Sequence, residues 1–243
     1  MMTVDSVMNE KTVPVKAMIL AAGRGNRFRP LTDTIPKPLI EVCGKPLIEY
    51  HIEKLVQAGV NDIIINHAWL GHKIEAALGN GKRWGVNIHY SAEPAGGLET
   101  AGGIIQALPL LGEAPFLVIN GDVYSDFNYD TLIQQATTMR SAPEIEAFLM
   151  LVPSPEHNTQ GDFGLLDSRQ VTEQGCYTFS GMSVLHPKLF LGLEVGFIKL
   201  APLLRHAMLQ QHVIGGVFEG FWSDVGTFER LKETEAVACP FEK

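Results

Sequence analysis

Arg24, Arg27, Arg29 and Lys37 place four cations in one glycine-containing stretch, KAMILAAGRGNRFRPLTDTIPKP from Lys16 to Pro38, of a chain whose formal net charge is −8. A local positive spot on an acidic protein calls for a concentrated anionic ligand such as a polyphosphate. The run Ala17 to Ala22 is apolar, too brief for a buried helix and followed by a glycine turn, which predicts a central strand feeding a loop. Gly23 and Gly25 give that loop access to positive φ and close backbone approach, so neighbouring N–H groups can converge on an anion. Two other phosphate signatures do not account for it. Gly23-Arg24-Gly25-Asn26-Arg27-Phe28 lacks the last glycine of the dinucleotide fingerprint, and the chain holds no G-x-x-x-x-G-K-[ST].

Carboxylates supply the second kind of chemistry. Phe116 to Asn120 reads as an apolar strand ending in Asn120-Gly121-Asp122, which exposes the aspartate at the edge of the sheet where ligands bind. Asp224 stands before Gly226 in Phe221-Trp222-Ser223-Asp224-Val225-Gly226-Thr227. Each alone is ordinary turn chemistry. Together they suit magnesium, which takes one or two carboxylates and completes its shell with substrate oxygens and water. The glycine-rich stretch Glu93 to Gly103 enters an apolar helix and reads either as a flexible lid or as a ligand-binding wall. The eight histidines show no metal-binding spacing, and His67, at a strand end, reads more readily as structural.

LAAGRGNRFRP followed by Pro36-Lys37-Pro38 resembles the signature of the sugar-1-phosphate nucleotidylyltransferases, L-A-[AG]-G-x-G-[TS]-R-[LM]-x-P and then P-K-P, with Asn26 where Thr or Ser is usual. The resemblance implies attack of a sugar 1-phosphate on the α-phosphorus of a nucleoside triphosphate. It implies catalytic roles for Arg27 and Lys37 and a nucleotide cradle of Leu20, Ala21, Ala22, Gly23, Gly25 and Asn26. Glu93, Glu99, Thr100, Ala101 and Gly102 would lie against the base, with Glu99 replacing the family's glycine. Trp222 to Thr227 is similar to the family's W-x-D-[IV]-G-T, so Asp122 and Asp224 are the expected ligands of Mg2+. Asn120, Gly121, Ser180 and Gly181 would border the sugar. Many relatives hold the sugar phosphate with the lysine of an E-K-P motif, but Leu151 to Ser180 contains no lysine. Arg169, Lys199 or Arg205 would have to serve, and Arg169 and Arg205 are the expected substrate-binding cations.

INHAWLG, LETAGG and WSDVGT are most similar to the family's uridylyltransferase branch in peptidoglycan recycling. That implies UTP and an amino sugar 1-phosphate bearing a lactyl carboxylate as partners. A mannose or heptose 1-phosphate guanylyltransferase shares the same skeleton. A non-catalytic regulatory subunit is the alternative from a different class, although Arg27, Lys37, Asp122 and Asp224 are all retained. The glycosyltransferase hallmark D-x-D is absent.

These residues need a scaffold, and the alternation of short apolar strands with amphipathic helices predicts one. The expected fold is α/β, a Rossmann-like doubly wound sheet, mixed and mostly parallel, forming a single domain over residues 16–243, with residues 1–15 a disordered extension. At 46% hydrophobic and 19% charged, the 243-residue chain is globular in composition. No block of Lys and Arg points to nucleic acid, and no apolar run suits a membrane or a signal peptide. Cys43, Cys176 and Cys239 are far apart without C-x-x-C, so neither a disulfide framework nor a zinc knuckle is expected and a cytoplasmic location fits.

Overall fold

Runs rich in Ile, Leu and Val, ended by Gly, Asn or Pro, form the strands of one central sheet. The computed structural model describes residues 14–239. Its strands are β1 (Ala17–Leu20), β2 (Asp62–His67), β3 (Asn87–Ala92), β4 (Phe116–Asn120), β5 (Ala147–Pro153), β6 (Phe163–Leu165), β7 (Val171–Leu185) and β8 (Val213–Val217). The spatial order is β8-β5-β7-β4-β1-β2-β3, with β6 paired to β7. β1 lies between β2 and β4, parallel to both. β7 runs antiparallel to β4 and β5, and β8 returns parallel to β5. The sheet is therefore mixed and mostly parallel, as expected.

Helices cover both faces. On one, Ile48, Ile52 and Leu55 of α1 (Leu47–Gln57) share a core cluster with Ile63 and Ile65, and Leu132, Ala136 and Met139 of α4 (Asp130–Ser141) join it over β4 and β7 with Leu117, Ile119, Met182 and Val184. On the other, Ile104 and Ala107 of α3 (Glu99–Leu111) share a core cluster with Met18, Ile64 and Val118, and Leu200, Leu204 and Ala207 of α5 (Leu200–Leu209) join it over β7 and β8 with Leu149, Leu185 and Val213. Successive strand residues thus serve opposite faces, and a strand buried on both reads as a continuous apolar run. α2 (Gly71–Leu78) follows β2, and α6 (Phe228–Ala238) ends the chain.

A third apolar cluster, Phe28, Ile40, Val42, Leu47 and Val225, lies under the arginine loop. Two short ladders frame it, Glu41–Val42 with Lys45–Pro46 and Tyr124–Ser125 with Trp222–Ser223. Here the cysteine expectation is corrected. Cys43 in the first hairpin and Cys239 at the end of α6 form a disulfide, with Cα atoms 5.9 Å apart across 196 residues of sequence. The fold brings them together, and no local spacing could announce it. The expected N-terminal extension lies outside the described residues up to position 13, while Val15 already packs against the core. Among the described residues no helix is long and apolar enough to cross a membrane.

Candidate active site

The arginine loop leaves β1 and divides its four cations into two pairs. Arg24 donates from Nη1 to the Thr32 carbonyl at 2.8 Å and from Nη2 to Asp33 Oδ1 at 2.7 Å, and its guanidinium lies 3.6 Å from the centroid of the Trp69 ring. Trp69 Nε1 donates to the same carbonyl at 2.8 Å, and Arg29 Nε reaches Asp33 Oδ1 at 3.0 Å. The Arg24 hydrogen bond is the main reason that the Asp33 carboxyl sits below its ordinary range. Arg24 and Arg29 are therefore braces. Arg27 makes no ion pair with a described residue, and Lys37, only 7% exposed, meets Asp122 through Nζ and Oδ2. Of the two glycines, Gly25 alone takes a left-handed φ, 68°, and Gly23 does not. A Cβ on Gly25 would lie 2.9 Å from Thr32 Cγ2 and 3.1 Å from Lys37 Cβ, so its absence lets the lysine come close.

The main cleft, about 650 Å³, opens at the carboxyl ends of β1 and β4. Leu20, Ala21, Ala22 and Gly23 line it from the loop, Asn120 and Asp122 from β4, and Glu93, Glu99 and Thr100 from the glycine-rich wall. Asn66 joins these parts: Oδ1 accepts from Ala21 N at 2.9 Å, and Nδ2 donates to Glu93 Oε1 at 2.6 Å. Glu93 Oε2 in turn accepts from Leu98 N at 2.8 Å. The sequence reading missed Asn66, although its signal was available. It directly follows the apolar run of its strand, as Asn120 does.

Ala101 and Gly102 depart from their expected place. Both backbone N–H groups donate to the Ile198 carbonyl, at 3.0 and 3.1 Å, and a Cβ on Gly102 would lie 1.9 Å from the Gly196 carbonyl. They anchor the 196–198 segment and leave the ligand face to Glu99 and Thr100. Glu99 has φ 61°, which explains why a glycine suits this position. Glu99→Gly is expected to raise stability by about 1 kcal/mol, the usual relief of left-handed strain, and urea unfolding of the two proteins checks it.

Two smaller clefts continue the groove. One, about 300 Å³, is lined by Gly23, Gly25, Asn26, Arg27, Lys37, Asp122 and Gly226. The next, about 640 Å³, holds Arg27, Glu156, Trp222, Asp224, Arg230 and Glu233. In the second short ladder Tyr124 pairs with Ser223, which brings the segments that carry Asp122 and Asp224 alongside each other. The two carboxylates expected to share a metal line neighbouring parts of the groove, Asp122 in the main and first smaller clefts and Asp224 in the next. Each faces a cation, Lys37 for Asp122 and Arg230 Nη1, at 3.1 Å, for Asp224.

Known proteins resemble this chain along most of its length. Residues 16–173 match the family described as nucleotidyl transferase. The chain is 56% identical over 230 residues to the N-acetylmuramate alpha-1-phosphate uridylyltransferase of Neisseria meningitidis serogroup B, covering 92% of this chain and 98% of that protein. The chain belongs to the nucleotidyl transferase family. It is 31% identical to a mannose-1-phosphate guanyltransferase of Hypocrea jecorina, of which it covers 61%, with 87% of this chain matched. A Bacillus anthracis protein assigned as a glucose-1-phosphate thymidylyltransferase shares the fold, with a TM-score of 0.82 at 21% identity, over 94% of this chain and 97% of that one.

The sugar-side expectations for this nucleotidyl transferase divide sharply. Asn120 lines the cleft, and Gly181 (φ 78°) accommodates it, since a Cβ there would lie 2.6 Å from Asn120 Nδ2. Gly121 lies against the Leu20 carbonyl, where a Cβ would come within 2.8 Å. Ser180 is fully buried, its Oγ donating to the Met150 carbonyl at 2.6 Å and its own carbonyl accepting from Trp222 Nε1 at 2.8 Å. Gly121, Ser180 and Gly181 back the site and do not line its clefts. Arg169 is elsewhere: Nε reaches the Gly215 carbonyl at 3.3 Å and Nη2 reaches Gln135 Oε1 at 3.2 Å. Arg205 is exposed on α5. Neither arginine lines any of the three clefts. Arg230, which the sequence reading passed over, does. His67 is structural, its Nε2 2.7 Å from Glu75 Oε1 and its ring against the bare Cα of Gly71.

Proposed function

We propose that this nucleotidyl transferase converts UTP and N-acetylmuramate 1-phosphate to UDP-N-acetylmuramate and pyrophosphate, as a step in peptidoglycan recycling. The observation that carries the reading is its extensive identity with a relative of that name, with both chains covered almost from end to end. The sites fit the reaction. An oxygen of the sugar phosphate attacks the α-phosphorus, the bond from that phosphorus to the bridging oxygen breaks, and pyrophosphate leaves with the electron pair. No covalent intermediate with the protein is required.

Such transfers depend on positioning and on charge stabilisation, because two polyanions must meet. Arg27 faces both smaller clefts, where it can stabilise charge building on the leaving pyrophosphate. Lys37 lies between the main cleft and the first smaller one, within reach of the phosphates of both substrates. Asp122 and Asp224 would hold a magnesium ion: both carboxylates line the groove on segments that the Tyr124–Ser223 pair joins, and magnesium takes one or two carboxylates and completes its shell with substrate oxygens. When bound, that ion supplies charge neutralisation at the α-phosphate.

A guanylyltransferase acting on mannose is supported less, because the relative with that name is more distant and longer than this chain. Pyrophosphate release with magnesium tests the assignment. UTP, GTP, dTTP, CTP and ATP are crossed with the 1-phosphates of N-acetylmuramate, N-acetylglucosamine, glucose and mannose. Selective turnover of UTP with the muramate acceptor is the expected result. Preference for GTP with mannose would overturn it, and triphosphate binding without any turnover would mark a regulatory subunit.

A further inference from the structure

We propose that Arg230 is the cation that fixes an oxyanion of the acceptor, in place of the lysine missing from Leu151 to Ser180. The inference rests on the sugar-1-phosphate reading above. Arg27 and Arg230 are the cations of the cleft beside Asp224, and Arg27 also faces the triphosphate loop. That leaves Arg230 for the second substrate.

Its setting is built for a fixed guanidinium. The side chain is only 14% exposed and springs from the first turn of α6. Its own N–H donates to Thr227 Oγ1 at 3.3 Å, and its carbonyl accepts from Thr234 Oγ1 at 2.6 Å. Gly226 leaves room for the guanidinium, since a Cβ there would lie 2.1 Å from Nη2. Nη1 pairs with Asp224 at 3.1 Å, whereas Nε is buried without a hydrogen-bond partner. A guanidinium offers five donors in a rigid fork suited to phosphate and carboxylate, and this one is incompletely used. Burying a cation with so few partners is costly unless a ligand completes its set.

The position suits that ligand. Gly226, beside which the guanidinium lies, also lines the cleft that holds Lys37 and Asp122, so Arg230 borders the groove next to that cleft. Glu156 and Glu233 in the same cleft disfavour an anion on their side and can accept from hydroxyl or amide groups of a sugar. The acceptor carries two oxyanions, its 1-phosphate and the lactyl carboxylate, and the guanidinium fork suits both.

Arg230→Gln and Arg230→Lys separate the possibilities. Acceptor KM at saturating UTP is measured with the 1-phosphates of N-acetylmuramate and N-acetylglucosamine, and binding of each acceptor alone is followed by calorimetry. Arg230→Gln is expected to weaken acceptor binding at least about tenfold, as loss of a charge-assisted hydrogen bond does, with UTP KM unchanged and partial rescue by lysine. Equal losses for both acceptors identify the phosphate, and a loss confined to the muramate identifies the carboxylate. Unchanged acceptor affinity with kcat alone reduced would overturn the proposal and leave Arg230 as a positioning residue for Asp224. Should Arg230→Gln not fold, Gly226→Ala displaces the guanidinium without removing its charge, and the same loss of acceptor affinity is expected. Absence of turnover in the wild type would refute the parent reading, while the calorimetry would still decide for or against Arg230.

Discussion

Lys37→Ala is expected to lower turnover at least about 100-fold, the usual cost of removing a donor aimed at charge that develops in a transition state. The lysine is held from several sides. Pro36 and Pro38 fix the backbone around it, its carbonyl accepts from Ile40 N at 3.0 Å, and Gly25 lets its Cβ approach. At 7% exposure the ammonium has little freedom to move away from Asp122. Positioning is therefore achieved before any ligand arrives, and a shorter side chain forfeits it. If Lys37 stabilises charge that develops only as the bond breaks, most of the loss appears in kcat. The fold should survive, since the Asp122 side chain is 37% exposed and can be solvated once its partner is gone. Pyrophosphate release at saturating substrates, with a melting curve beside it, is the measurement. Turnover near the wild-type rate in a folded variant would remove Lys37 from the catalytic set.

Local chemistry made β1, its loop and the alternating fold legible. An apolar run, a glycine turn and clustered arginines are readable within a few residues. What escaped depends on residues meeting across the chain. Lys37 and Asp122 are 85 positions apart, Asn66 and Glu93 are 27, and Cys43 and Cys239 are 196. Charge alone also misdirected the choice of acceptor cation. Arg169 had the right type in the right interval, but its turn places it against Gly215 and Gln135. Arg230 is one helical turn from Gly226 and inherits its place from the start of α6, a location that residue type cannot report. Glu99 shows the reverse case. The departure from glycine was visible in the sequence, but its cost became visible only with its φ of 61°.

Acid should weaken the folded state between pH 6.5 and about 4 through one buried histidine. His51, on α1, is 2% exposed, and its Nδ1 lies 2.7 Å from the Tyr129 hydroxyl. Burial, followed by the nearby Lys54 ammonium, pulls its pKa from 6.5 down to about 4, against the weaker opposite pull of Asp122 and the Val123 backbone. Lys54 cannot move off to relieve the pressure, because its Nζ donates to the carbonyls of Ser125 and Phe127. A depressed folded-state pKa means that the unfolded chain binds the proton more readily. The stability supplied by neutral His51 is therefore complete above pH 6.5 and disappears as pH falls toward 4. The interval corresponds to about 3 kcal/mol, a large share of the 5 to 15 kcal/mol that holds a domain together. His51→Gln cannot titrate, so it should be less stable than the wild type near pH 7.5 through lost packing. That deficit should shrink or reverse by pH 4.5. Urea unfolding of both proteins at the two pH values provides the test. A stability gap independent of pH would show that protonation of His51 is not what couples acid to unfolding, and the carboxylates would have to carry the whole effect.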